Sequence, residues 1–277
     1  MPILPRLVSL YQSRGIRIAT GLNPSHFGDF PYAPFTWFIK GGESLTEGLG
    51  ISLQEIYFLE CLFARFHPRS LFVIGNSLGW STLALALANP PGSVLAIDAG
   101  LDRHASDGIR FTNEIALEEG LAVRVVAGRS PEDIATIVRD AALPPIEFAF
   151  IDGYHSVEQI PLDFRAVRNV AAPECVYLFH DVTNFGLTPA IERIAADSGL
   201  SYLLLPGTSS GMAILYDPAG RSDLLDDIAP FAAPPETLAV IREAAWKYRH
   251  RHLARWRRSL DKRRGAARRP APLFDEP

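Results

Sequence analysis

Short apolar runs alternate with helix-compatible stretches along the middle of the chain. The runs lie near 70–75, 94–98, 122–127, 146–151, 174–180, 201–205 and 211–216, each long enough for a strand and too short for a helix. Helical spacing predicts helices near 80–89, 106–119, 131–141, 156–170 and 187–198. This alternation predicts an α/β fold: a seven-stranded, mostly parallel sheet with helices on both faces. The last two runs are joined by Pro206-Gly207-Thr208-Ser209-Ser210, a turn-rich link that predicts a terminal antiparallel hairpin. Ser52-Leu53-Gln54-Glu55 predicts a capped helix start, continued by Ile56, Leu59, Leu62 and Phe63 up to Phe66. Residues 1–50 read as irregular, punctuated by Gly21, Pro24, Gly28, Pro31, Pro34, Gly41, Gly42 and Gly48. From Pro234 a further helix, with Leu238, Ile241, Ala245, Tyr248 and His252, leads to the end of the chain. Three regions follow: 1–51 an aromatic-rich arm or lid, 52–217 the sheet domain, and 218–277 a helical extension with a basic tail.

Composition narrows the class. A chain of 277 residues with 48% apolar and 21% charged residues can bury a full core. Its two cysteines, Cys61 and Cys175, lie in apolar runs and predict buried free thiols, with no zinc motif. No run is long enough to span a bilayer, and the first residues lack the pattern of a secretory signal, so a cytoplasmic protein is expected. The net charge of −4 hides an asymmetry, since residues 247–277 hold eleven Lys/Arg against three acids. Such a tail suits nucleic acid, an anionic surface, or the acidic body of a neighbouring subunit. With the N-terminal arm it makes a homodimer the expected assembly.

In an open α/β sheet, ligands sit beyond the carboxyl ends of the strands. Those ends read Gly75-Asn76-Ser77, Asp98, Gly128-Arg129-Ser130, Asp152-Gly153-Tyr154-His155 and His180-Asp181. A glycine turn running into a helix, followed by a strand tipped with an acid, is a way to hold a nucleoside. The turn offers N–H groups, and Asp98 accepts from ribose hydroxyls. Gly-x-Gly-x-x-Gly is absent, which disfavours a dinucleotide site, and no Gly-Lys-Ser/Thr marks a P-loop.

The motifs FVIGNSLGWST, VLAID, FAFIDGYHSVEQIPLDF and VYLFHDV, in this order, resemble class I S-adenosylmethionine-dependent methyltransferases. The nearest branch is the small-molecule O-methyltransferase-like one, whose strand ends read Ile-Asp-Gly-x-His and His-Asp. The resemblance spans about residues 52–216 and implies a Rossmann-like fold. It implies that Gly75, Asn76, Ser77 and Gly79 wrap the methionine end of S-adenosylmethionine, Asp98 binds the ribose, and Arg129 and Ser130 lie by the adenine. Ser81, Asp152 and Tyr154 complete the candidate cofactor-binding set. Two positions depart from the pattern. Val73 stands where an acid usually orients the cofactor's ammonium group, and Ser77 stands where a glycine is usual. Ser77 suits the turn if its φ is negative.

Methyl transfer from a sulfonium is an in-line displacement, so positioning matters and a hydroxyl acceptor must lose a proton. His155 and His180 are the candidate bases, each with an aspartate nearby in sequence, Asp152 or Asp181. Some relatives bind a divalent metal with acids at these strand ends, which makes Asp152, His180 and Asp181 candidate ligands. The cluster Phe27, Phe30, Tyr32, Phe35, Trp37 and Phe38 predicts an arm packed on the core or a lid over the cation. Tyr32, Trp37 and Asn184 are the candidate contacts to a small-molecule acceptor. Two other readings use the same residues. An intramolecular cyclase would release methylthioadenosine, a reading prompted by Val73. An RNA-binding protein or RNA methyltransferase would use the basic tail, although its arginines lack the interleaved aromatics of a stacking surface.

Overall fold

The computed structural model describes residues 2–250 apart from Glu47, Leu49, Asp102, Arg103, Ser222 and Asp223. Its main sheet is built from β4 (Ser70–Ile74), β5 (Ser93–Asp98), β6 (Val123–Ala127), β7 (Ile146–Ile151), β8 (Ala171–Phe179), β9 (Ser201–Leu205) and β10 (Met212–Tyr216). The spatial order is β6-β5-β4-β7-β8-β10-β9. The first five strands are parallel, and β10 runs antiparallel between β8 and β9. The expected Rossmann-like sheet with its terminal hairpin is therefore present. Its chain reverses direction of travel at β4, which pairs with β5 on one side and β7 on the other. That switch point opens a crevice at the strands' carboxyl ends.

The helices are α2 (Leu53–Leu62), α3 (Trp80–Ala88), α4 (Ala105–Glu118), α5 (Ile134–Asp140), α6 (Gln159–Arg168) and α7 (Thr188–Ser198), with a short α8 (Leu224–Ile228). Strand pleating splits the interior into two cores. Leu71 and Val73 pack with Phe58, Leu83 and Phe148 on one face. Phe72 and Ile74 pack with Ile134, Ala149 and Phe164 on the other. Both faces of the central strands are buried, which explains why they read as unbroken apolar runs. The unusual Val73 is fully buried in the first core.

The expectation that residues 1–50 are irregular is corrected. Residues 4–12 form α1 (Leu4–Gln12), and β1 (Arg17–Ala19), β2 (Trp37–Lys40) and β3 (Glu43–Ser44) make a separate antiparallel sheet. Leu4, Leu7, Leu10 and Tyr11 lie one helical face apart, and Leu7 and Tyr11 are fully buried. Dense glycines and prolines hide this pattern, yet they only shape the turns between short elements.

The arm and the sheet belong to one compact unit that extends to Ala232. Beyond it, α9 (Pro235–Arg249) begins the second unit. Residues 251–277, which carry most of the basic tail, fall outside the described residues. No described helix is long and apolar enough to cross a membrane.

Candidate active site

The crevice at the switch point is a cavity of about 730 Å³, within the range of small-molecule and cofactor sites. Its floor is the turn after β4. Gly75 has φ +93°, and a Cβ there would fall 2.1 Å from the backbone oxygen of Asp152. Only glycine lets the ends of β4 and β7 approach this closely. Ser77 has φ +44°, contrary to the negative φ expected of it, at a cost of about 1–2 kcal/mol.

Neighbouring groups hold this strained turn. Asp98 Oδ2 accepts from the N–H groups of Asn76 (2.9 Å) and Ser77 (2.8 Å), and its Oδ1 accepts from Gly100 N–H (2.8 Å). The Asn76 amide donates to Ser77 O and to Thr112 Oγ1, and accepts from Thr82 Oγ1. Tyr11 donates to Leu78 O at 2.8 Å, so a helix from the arm supports the turn directly. A carboxylate offers about four lone-pair positions. Three are filled in Asp98, and the one remaining is on Oδ1.

Four titratable side chains converge at the ends of β7 and β8. Asp152 Oδ1 lies 3.1 Å from His155 Nε2 and 3.1 Å from His180 Nδ1. Asp181 Oδ2 lies 3.3 Å from His180 Nδ1 and 3.8 Å from His155 Nδ1. His180, only 3% exposed, also faces Glu55 Oε2 across 3.4 Å through Nε2. These separations around His180 are short enough for hydrogen bonds, but the angles are not aligned, and the contacts are ion pairs. Burial by itself would lower the His180 pKa, but Asp152, Glu55 and Asp181 outweigh it and raise it well above the usual imidazole value. Burial would raise the Asp152 carboxyl, yet the two histidines hold it far below the usual carboxylate range. An ionised carboxylate only accepts, so His155 donates Nε2–H to Asp152, which leaves Nδ1 of a neutral ring free to take a proton.

Sequence proximity suggested pairs of His155 with Asp152 and His180 with Asp181. The structure makes Asp152 the shared partner and adds Glu55 from α2, read in the sequence only as half of a capping box. That box is present. Its side chain does more, because a fully buried carboxylate needs a cation or donors around it.

The wall of the cavity is aromatic. Phe30, Tyr32, Phe35, Trp37 and Phe38 from the arm face Trp80 and Phe185. Trp37 donates to Tyr32 O and packs against Phe30, with ring centroids 5.8 Å apart. The arm both packs on the core, through the buried Phe38, and lines the cavity. Phe27 is half-exposed and outside it.

Of the expected cofactor residues, Gly75, Asn76, Ser77, Ser81, Asp98 and Asp152 line the cavity. Gly79 lies behind the turn against Thr112. Arg129 is exposed, Ser130 hydrogen-bonds Asp163, and Tyr154 is 78% exposed; none of these three lines the cavity. Asn184 also stands outside and donates to Asp181 Oδ1 at 2.8 Å. It holds Asp181, which lines the cavity, where contact with an acceptor was expected. Glu55 and Phe185 had no local signal of a site role, and Tyr11 was missed because its helix was.

Residues 72–182 match a family described as a methyltransferase domain. No curated protein matches the chain by sequence. An O-methyltransferase from Bacillus cereus, solved in complex with SAH, is similar with a TM-score of 0.50 and 20% identity, covering 60% of this chain and 82% of that one. A cofactor-bound protein from MTB has a TM-score of 0.50 and 17% identity, covering 78% of this chain and 89% of that one. At these identities the likeness is one of fold, and the fold is that of a methyltransferase.

Proposed function

We infer that the chain, whose residues 72–182 carry a methyltransferase domain, is an S-adenosylmethionine-dependent methyltransferase acting on an oxygen of a small molecule. The observation that carries this reading is the cradle at the end of β4. A glycine turn, held open by Asp98, borders an aromatic cavity that contains a histidine–aspartate base. The residues fit the cofactor, because the turn from Gly75 to Ser77 lines the cavity and Asp98 Oδ1 keeps one position for a ribose hydroxyl. When bound, S-adenosylmethionine supplies an electrophilic methyl group on its sulfonium. Val73 is buried in the core, so Asp152, at the cavity edge beside Gly75, is the acid available to the ammonium group.

The protein's part in the reaction is positioning, exclusion of water and one proton transfer. The arm's aromatic rings line the cavity and help to exclude water from it. His155 Nδ1 takes the acceptor's hydroxyl proton, while Asp152 keeps the ring oriented and stabilises it once charged. The ring of Phe185, 4.8 Å from His155, sets its tilt. Neither the cyclisation reading nor the RNA-directed one is favoured by the methyltransferase-domain match and the O-methyltransferase neighbour.

The test is calorimetric binding of S-adenosylhomocysteine, with product analysis after incubation with S-adenosylmethionine and a panel of phenols and alcohols. Asp98→Ala is expected to weaken binding about 100-fold, since a charge-assisted bond is lost and the turn loses its anchor. Unchanged affinity in that variant removes the ribose contact. Methylthioadenosine formed without an acceptor removes the methyl-transfer reading.

A second reading adds a metal ion. Asp152, His155, His180 and Asp181 each offer one ligand atom, all within 4.8 Å of one another. Asp152, His180 and Asp181 would hold the ion and His155 would remain the base. A donor set with imidazole suits a borderline ion such as zinc or iron(II) better than magnesium, and such an ion would acidify the acceptor hydroxyl. The reading predicts near-stoichiometric metal in the purified protein and loss of activity on chelation, restored by one ion of this class. Full activity in metal-free protein excludes it.

The free thiols fit a cytoplasmic enzyme, and burial pushes the Cys175 thiol up to about 12, leaving it inert. Exposed Val240, Ile241 and Trp246 on α9 fit a homodimer contact.

A further inference from the structure

We propose that Glu55 is a positioning residue for this site: its carboxylate fixes the His180 ring with Nδ1 turned toward Asp152 and Asp181. The proposal rests on the methyl-transfer reading for its kinetic consequences, but not for the contact itself.

The carboxylate is immobile before it meets the histidine. Oε2 accepts from Ser52 N–H at 2.7 Å, and Oε1 accepts from Ser210 N–H at 2.9 Å. One bond ties it to the start of its own helix, and the other to the link between β9 and β10. The residue is fully buried, and the first donors alone leave a net negative charge inside the protein. His180 Nε2 faces its Oε2 across 3.4 Å and is the partner that reaches the carboxylate from the other side.

The consequence for His180 follows from valence. Glu55 accepts and does not donate, so the nitrogen facing it, Nε2, carries a hydrogen. The opposite nitrogen, Nδ1, is then the one presented to Asp152 at 3.1 Å and Asp181 at 3.3 Å. The rings of Phe35 and Phe150, with centroids 6.4 and 5.9 Å away, flank the imidazole and limit its rotation. What Nδ1 holds, a proton or a metal ion, differs between the two readings above, while the task of Glu55 is the same in both. Carboxylates behind a functional histidine set its tautomer and orientation in this way. The chain of contacts runs from Glu55 to His180, then to Asp152 Oδ1, and from that oxygen to His155. A shift at Glu55 therefore reaches the base without Glu55 touching the acceptor.

The test compares Glu55→Gln with Ser52→Ala in the full-length protein. The carboxamide keeps the shape of Glu55 but turns an N–H donor or a weaker acceptor toward Nε2. Ser52→Ala removes the hydroxyl that accepts from Glu55 N–H and so weakens the helix cap, leaving the carboxylate and His180 in place. The ring nitrogens of His180 are read by ¹⁵N NMR, with the signals identified by their absence in His180→Asn. The wild type is expected to show a protonated Nε2, and Glu55→Gln is expected to lose that signature. Its kcat falls 10- to 100-fold with the S-adenosylmethionine KM little changed. Ser52→Ala lowers the melting temperature and leaves both kcat and the signature alone. An unprotonated Nε2 in the wild type overturns the proposal, as does a Gln variant with normal kcat and ring signals. So does Ser52→Ala with the same kcat loss, because the role would then be that of a helix cap. The NMR readout needs no acceptor, so failure of the methyl-transfer reading leaves it standing as a separate result.

Discussion

His155→Ala is expected to lower the single-turnover rate of methyl transfer by 10²–10⁴-fold, the usual contribution of a positioned general base. Binding of S-adenosylhomocysteine should stay near the wild-type value, because the proposed cradle of the cofactor, Gly75, Ser77 and Asp98, does not include His155. The expected magnitude follows from the geometry. The Nε2–H of His155 is committed to Asp152 at 3.1 Å, and its Nδ1 faces Asp181 across 3.8 Å, too far for a hydrogen bond. An acceptor hydroxyl can take that place. Removing the ring leaves the carboxylate of Asp152, whose strongly depressed pKa makes it a poor substitute base. Added imidazole should restore part of the rate. A variant with undiminished turnover would show that the proton leaves by another route, with His180 or a metal-bound site the remaining candidates.

Gly75→Ala is expected to destabilise the protein by about 2–5 kcal/mol and to abolish cofactor binding. Two costs combine. The left-handed backbone at φ +93° is unfavourable for any residue with a Cβ, by about 1–2 kcal/mol. The added carbon also meets Asp152 O at 2.1 Å and Asp152 C at 2.9 Å. These are backbone atoms that cannot rotate away, so overpacking adds about 1–3 kcal/mol. Relief requires the ends of β4 and β7 to separate, which spoils the crevice they form. Gly120→Ala is the matched control. Its φ is +63° but nothing lies within 4 Å of a new Cβ, so only the conformational cost applies. Denaturant unfolding of the two variants should give stabilities that differ by about 1–3 kcal/mol, the overpacking cost alone. Equal losses would mean that close approach at β4 and β7 does not constrain the fold.

The positions that mattered most in sequence were the strand ends. Apolar runs buried on both faces stop abruptly where the chain leaves the sheet, so Gly75, Asp98, Asp152, His155 and His180 stood out against a uniform background. Arg129 and Ser130 stood out for the same reason, yet the cavity is not lined by them. β6 is the edge strand, two places from the switch point, and the Ser130 hydroxyl turns to Asp163. A strand's position in the sheet is not a local property of its residues. The arm was harder to read, because its stripe from Leu4 to Tyr11 is short and followed by breakers.

What the chain's own pattern determined was local: where backbone periodicity changes, which turns need glycine, and which polar residues interrupt an apolar run. Those depend on residues only a few positions apart. The tertiary structure decided which of these ends meet. Pairing β4 with both β5 and β7 brought Asp98 and Asp152 to one crevice. Folding set Glu55, on α2, against His180, just past the end of β8 and 125 positions further along the chain. The physical reason is charge. A buried carboxylate and a buried imidazole are each unfavourable alone and acceptable together. Near neighbours in the chain could not reveal that pairing.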